Sequence, residues 1–138
     1  MRFMMLMIPN EKAYKAGARP NAEAMAKMTA YNETLAKAGV LLSLDGLQTP
    51  AKGARVSFSS GKPVVTDGPL IATKDALGGY WMIRVQSKAE AVEWATRCPA
   101  EGGDVIELRQ VYELDDFEPS EAVERARKLG LPTAQISI

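Results

Sequence analysis

The chain has 138 residues, of which 46% are hydrophobic and 25% charged, a composition typical of one globular domain with its own core. Its 17 basic and 17 acidic side chains cancel, which argues against a nucleic-acid partner, since such proteins carry a basic excess. Histidine is absent, which excludes histidine-dependent acid–base chemistry and removes the commonest metal ligand. We therefore expect no metal and no cofactor.

The single cysteine, Cys98, has no partner for an intrachain disulfide, as is typical of proteins from a reducing compartment. The first apolar run, residues 3–8, is too short for a signal-peptide core or a membrane span, and no later run is longer. The sequence therefore predicts a cytoplasmic protein with no membrane partner.

The N-terminal half begins with a predicted strand at residues 3–8, because an unbroken apolar run is typical of a buried strand. Residues 10–20 are polar and are predicted as a loop. An asparagine cap and a terminal glycine mark a helix over residues 21–39, with apolar side chains at helical spacing. A second strand is predicted at residues 40–44, followed by a turn at Asp45-Gly46.

A small hairpin comes next, with two short alternating segments on either side of Ser59-Ser60-Gly61-Lys62. It leads into a connector, Thr66–Asp75, which contains a carboxylate, a glycine, a proline, hydroxyls and a lysine. Residues 73–77 are predicted to form one helical turn. Ligand-contacting groups tend to sit in such connectors, since the flanking strands hold them rigidly.

The C-terminal half starts with a predicted strand at residues 80–85. Ser87 and Glu90 form a capping box for a helix that stops at Pro99. Residues 105–112 are predicted as a last core strand. Ser120 then caps a final helix, which Gly130 ends.

This order predicts an α+β fold, a ferredoxin-like β-α-β-β-α-β sheet with an inserted small hairpin and a C-terminal helix. Both long helices then lie on one face of an antiparallel sheet, and the other face is uncovered. A second copy of the chain is the simplest cover for an apolar face, so we expect a homodimer joined through the sheet face. Residues 1–112 form this domain, and residues 113–138 form a helix and tail packed on it or on the dimer partner.

Four segments of the chain resemble a DGPF-type protein of the YCII-related superfamily. They are the opening strand, the second strand with its turn, the connector with Asp67-Gly68-Pro69 and Thr73-Lys74, and the last helix and strand. By number they are residues 3–8, 38–47, 65–74 and 91–109.

The resemblance implies a dimeric α+β barrel of ferredoxin-like halves. Proteins of this family are mostly uncharacterised, and some are encoded near, or fused to, sigma-type transcription factors. In the wider superfamily a histidine–aspartate pair is suggested as an active site, which a chain without histidine cannot form. Leu70-Ile71-Ala72 stands where the family motif has Phe-Ala-Glu, so an acidic group is lost, whereas Asp75 keeps the acid that follows the lysine.

The connector supplies two candidate site residues. Asp67 is predicted to cap the turn made by the glycine and proline after it, a common role for aspartate. Its alternative role is that of a ligand acceptor or general base, which makes it the best catalytic candidate. Lys74 is either a solvated surface lysine or an anion anchor opposite Asp67.

Four further ligand-binding candidates lie on predicted strands or beside them. Glu107 and Arg109 alternate with apolar neighbours and therefore project to one sheet face, and Arg84 shares a face with Tyr80. These charges predict either a ligand cradle or a structural salt bridge, and we favour the salt bridge because half-buried charges usually pair. Asp45 is predicted as a turn residue.

Two classes of function stay open. The first is a homodimeric small-molecule binding or accessory protein with a polar site near the Asp-Gly-Pro loop. The second is a histidine-independent enzyme of lyase, isomerase or monooxygenase type that uses Asp67 or Glu107 as its base. An interaction module linked to transcription regulation is a third alternative, which rests only on the resemblance. The sequence does not decide whether the protein is an enzyme.

Overall fold

The computed structural model describes residues 1–10, 21–59, 61–68 and 76–130. In chain order, its strands are β1 (Arg2–Ile8), β2 (Leu41–Gly46), β3 (Ala54–Ser57), β4 (Val64–Asp67), β5 (Gly79–Arg84) and β6 (Val105–Gln110). Its helices are α1 (Ala22–Lys37), α2 (Lys88–Thr96) and α3 (Glu121–Lys128). Short 3-10 turns occupy Pro50–Lys52 and Leu114–Asp116.

Four strands form one antiparallel sheet in the order β2-β5-β1-β6. This order and direction confirm the predicted ferredoxin-like α+β fold. Strands β3 and β4 form a separate two-stranded sheet, as expected for an inserted hairpin. The predicted strand at residues 105–112 is present over Val105–Gln110 as an edge strand paired with β1, and its Ile106 and Leu108 pack against the core.

The core lies between one face of the large sheet and helices α1 and α2. Alternate strand residues supply it, since successive side chains of a strand point to opposite faces. Its buried members are Phe3, Met5, Tyr31, Leu35, Val40, Trp81, Ile83, Val85 and Ala91. The other face of the sheet contributes no residue to this cluster, so the helices cover only one side.

Local signals place the ends of the helices. The Asn21 side chain accepts a hydrogen bond from the backbone N–H of Ala24 at 2.8 Å, which confirms the predicted cap of α1. At α2 the Ser87 hydroxyl caps Glu90 as predicted, but the Glu90 carboxylate accepts from the N–H of Gln86 rather than from that of Ser87. Ser120 caps α3 through the N–H of Val123.

Several sequence predictions lie outside the described residues. They are most of the loop at 10–20, the helical turn at 73–75, Lys74 and the tail after residue 130. In the described part of the chain, no helix is both long enough and apolar enough to cross a bilayer.

Candidate functional site

The sheet face that turns away from α1 and α2 is called the open face below. Directly opposite residues of antiparallel strands share a face, so the strand register defines three rows of side chains across it. The first row is Asp45, Tyr80, Leu6 and Glu107; the second is Ser43, Met82, Met4 and Arg109; the third is Arg84 and Arg2. The open face thus has an apolar centre with charged groups around it.

Asp45 is a strand residue rather than the predicted turn residue. It is in β2, opposite Tyr80, and its Oδ2 accepts a hydrogen bond from the Tyr80 hydroxyl at 2.7 Å. The bonded carboxylate raises the pKa of Tyr80 above its ordinary value, since it stabilises the protonated phenol. Pairing with β5 and this side-chain bond together favour an extended backbone at a position where Asp-Gly alone signals a turn.

Glu107 and Arg109 form the predicted ion pair, with Oε2 and Nη1 3.5 Å apart. Both side chains are exposed, so the pair is not the half-buried structural bridge that the sequence suggested. Exposed pairs contribute little to stability because water screens them. Both groups therefore stay accessible from the open face.

The third row places two like charges next to each other, since Arg2 lies directly opposite Arg84. Arg2 is buried, with 4% of its side chain exposed, and its guanidinium binds both carboxylate oxygens of Glu113 at 2.7 and 3.1 Å. Arg84 is exposed and forms no ion pair with any described residue. Glu113 thus neutralises one arginine and leaves the other available for an anion.

Asp67 lies apart from these rows, at the end of β4 in the separate hairpin. It is exposed, and its carboxylate makes no hydrogen bond to the described residues. The connector returns to β5 at Gly79, beside Gly46 of β2, and therefore meets the end of the sheet that carries Asp45. Arg84 lies at the opposite end of β5, about 17 Å away by strand length.

Steric crowding explains why the middle residue of the Asp-Gly-Pro motif, Gly68, is a glycine. Gly68 donates its backbone N–H to the carbonyl of Gly53 at 3.0 Å and packs against the backbone of Pro50. A Cβ at this position would collide with the carbonyl oxygen of Pro50 and lie 3.0 Å from that of Gly53. The motif therefore holds the base of the hairpin against the 3-10 turn.

Replacing Gly68 by alanine is expected to destabilise the hairpin base by about 1–3 kcal/mol, as overpacking against backbone does. Amide hydrogen exchange should show lost protection in β3 and β4, with the large sheet unchanged. Gly102→Ala is the matched control, because a Cβ there meets no atom within 4 Å. Equal exchange in both variants would contradict this steric role.

The structure thus brings Asp45, Arg84, Glu107 and Arg109 onto one face, places Asp67 on the hairpin, and leaves Lys74 outside the described residues. Sequence analysis missed the buried Arg2–Glu113 pair. The alternation of β1 puts Arg2 on the open face, but its partner is 111 residues away in the chain, and no local pattern indicates so distant a contact.

Two further observations concern possible metal ligands and the single cysteine of the described residues. These residues contain no group of three or more acidic or cysteine side chains that could hold a metal ion. Burial raises the pKa of the Cys98 thiol to about 11, so the neutral, weakly nucleophilic form dominates at physiological pH.

These observations define a small ferredoxin-like α+β domain whose sheet carries helices on one face and, on the other, an apolar centre with charged groups around it. The family model of the YCII-related domain matches residues 1–115, and the chain belongs to this family. A search of curated proteins gave no match.

Proposed function

We propose that this protein is a cytoplasmic, homodimeric small-molecule binding protein of the DGPF subtype, whose open face meets a second copy and holds a small organic anion. The observation that carries the proposal is the unpaired, exposed guanidinium of Arg84 on a face to which all four strands contribute polar groups. Pockets that bind small molecules combine an apolar lining with a few convergent polar groups.

The apolar centre of the open face supports the dimer. Met4, Leu6 and Met82 lie side by side there, and none belongs to the core cluster. A second copy that packed on this face would remove these side chains from water. The net charge of zero favours such self-association, since no long-range repulsion opposes it.

The arrangement of charges supports an anionic ligand. Arg84 can bind a carboxylate or phosphate in bidentate fashion, because its planar guanidinium has no competing ion pair among the described residues. The hydrogen-bonded Asp45–Tyr80 pair at the other end of β5 offers a second polar contact only to an elongated anion, since four residues of strand, about 13 Å, separate Tyr80 from Arg84.

The exposure of Asp67 and Glu107 supports a binding role better than a catalytic one. A catalytic carboxylate is usually held in a water-poor cavity that shifts its protonation into the working range. Both of these carboxylates face solvent in the single chain.

A thermal-shift screen against small carboxylates and phosphates tests the ligand proposal. We expect at least one compound to raise the melting temperature of the wild-type protein. Arg84→Ala should weaken that compound's binding about 10-fold or more, since a charge-assisted bidentate contact is worth about 1.5–3 kcal/mol.

Lys37→Ala is the matched control, because Lys37 is an exposed cation on the helix side of the sheet. It should leave the ligand response unchanged. A ligand whose binding is equally strong in Arg84→Ala and the wild type would place the site elsewhere. A screen without any stabilising anion would contradict the proposed ligand class.

A further inference from the structure

The hairpin presents apolar side chains that the described residues leave exposed. Val56 and Val65 lie directly opposite each other, and Phe58 follows two residues after Val56. Phe58 is 70% exposed and Val65 is 66% exposed. These three side chains are called the hairpin patch. A two-stranded ribbon is at best marginally stable in water, so an ordered hairpin with this face needs a partner.

A second exposed apolar surface follows β6. The rings of Tyr112 and Phe117 stack with centroids 5.2 Å apart, yet Tyr112 is 71% exposed. These two rings are called the aromatic patch. A hollow of about 410 Å³ adjoins it, lined by Arg109, Gln110, Val111, Tyr112 and Asp116. Most of its lining is polar, so an apolar side chain fits only beside Val111 and the Tyr112 ring.

The two patches have opposite charge. Residues 47–67, which include the hairpin and the turn before it, contain Lys52, Arg55 and Lys62 and one acidic residue, Asp67. Residues 113–128, which flank the aromatic patch and include α3, contain six acidic residues and three basic ones. The surfaces are therefore complementary both in apolar character and in charge.

The charges of both segments are also unbalanced within the chain. Among the described residues, none of the three hairpin cations forms an ion pair. Of the six acids, Glu113 pairs with Arg2, and Asp115 and Glu124 pair with Arg127. Three acids remain without a cation among the described residues, namely Asp116, Glu118 and Glu121.

The topology separates the two patches in one chain. The hairpin begins after Gly46, at one end of the edge strand β2. Tyr112 follows β6, the opposite edge, at the other end of the sheet, where the N–H of Val111 bonds the carbonyl of Arg2. Three strand spacings and five residues of strand put these corners about 22 Å apart. The two patches of one chain are therefore too far apart to touch, and a contact between them would join two copies of the chain.

We propose that the hairpin patch of one copy docks on the aromatic patch of a second copy, with Phe58 beside Tyr112 and the hairpin cations facing the acidic segment. This contact rests on the homodimer proposed above and adds a second interface to it. In a two-fold dimer the contact forms twice, since each copy donates one hairpin and receives another.

Charge reversal tests the docking. We expect Arg55→Glu/Lys62→Glu to weaken the dimer about 10-fold or more in sedimentation equilibrium at low salt, and Glu118→Lys/Glu121→Lys to do the same. The chain with all four substitutions should return to within about 3-fold of the wild type, because the pairs are restored in reverse. Lys37→Glu/Lys88→Glu, on the two long helices, is the control and should leave the dimer unchanged. If the chain with all four substitutions dimerises as weakly as the two double variants predict when their effects are simply multiplied, the proposal is overturned.

A disulfide test identifies the contact directly. One chain carries Cys98→Ser with Ser59→Cys, next to Phe58, and the other carries Cys98→Ser with Glu118→Cys, next to Phe117. After mixing and mild oxidation, we expect a covalent dimer that contains a 59–118 disulfide by peptide mass spectrometry, since such a bond requires Cα atoms within about 7 Å.

The outcomes separate this inference from the proposed function. A stable dimer that yields no 59–118 disulfide overturns the docking and leaves the open-face dimer intact. A wild-type protein that is monomeric at all concentrations overturns both. A ligand response that is lost in Arg84→Ala but kept in the hairpin variants supports the ligand site independently of the docking.

Discussion

Replacing Met82 by aspartate is expected to convert the proposed open-face dimer into a monomer at micromolar concentration. Met82 lies in the middle row of the open face, between Ser43 and Met4. In a single chain the new carboxylate can reach water, so the fold should survive. In a face-to-face dimer it would be buried without a partner, at a cost of several kcal/mol, which weakens association about 100-fold or more.

Sedimentation equilibrium measures this change, with circular dichroism to confirm the fold. Met25→Asp is the matched control, because it makes the same substitution at an exposed position on α1, on the helix side of the sheet. We expect the control to dimerise like the wild type. If Met82→Asp dimerises as tightly as the control, the open face is not the interface.

Removing the partner of the buried arginine is expected to cause the largest loss of folding stability on the open face. Glu113→Gln should lower the free energy of unfolding by about 2–4 kcal/mol, because the Arg2 guanidinium keeps its charge and loses a bidentate carboxylate. Arg2 also lies directly opposite Arg84 on the neighbouring strand. Without the Glu113 carboxylate, no negative charge offsets the repulsion between the two arginines.

Urea unfolding with two further variants isolates the mechanism. Arg2→Met/Glu113→Leu, which removes both charges, should be more stable than Glu113→Gln alone, since no unpaired charge is left inside. Asp115→Asn breaks the more exposed pair with Arg127 and should cost less than about 1 kcal/mol. If the double variant proves no more stable than Glu113→Gln, packing rather than charge is what Glu113 contributes.

The class of the fold was predictable because its signals are local. The apolar run of β1, the Asn21 cap and the Ser87 cap each depend on a few neighbouring residues, and each appears in the structure. The alternation of residues along β5 and β6 correctly placed Arg84, Glu107 and Arg109 on one face. A period of two residues determines this within each strand, and the register of β5 and β6 with β1 places the two sets on the same face.

The errors arose where distant residues compete with a local signal. Asp45-Gly46 reads as a turn, but pairing with β5 and the hydroxyl of Tyr80 keep Asp45 extended. The last strand was predicted to reach Tyr112 but ends at Gln110, and its place at the sheet edge follows only from the order of all four strands. These long-range contacts cannot be recognised from the residues next to Asp45 or next to the last strand.

The sequence by itself determined the elements, the ferredoxin-like order and which strand residues share a face, because propensity, capping and alternation act over a few residues. Only the tertiary structure decided that Glu113 neutralises Arg2 while Arg84 stays unpaired, and that a basic hairpin and an acidic aromatic patch stand at opposite corners of one sheet. Those facts depend on strand register and on contacts between residues far apart in the chain, such as Arg2 and Glu113. Both are determined by the packing of the whole domain and not by neighbouring residues.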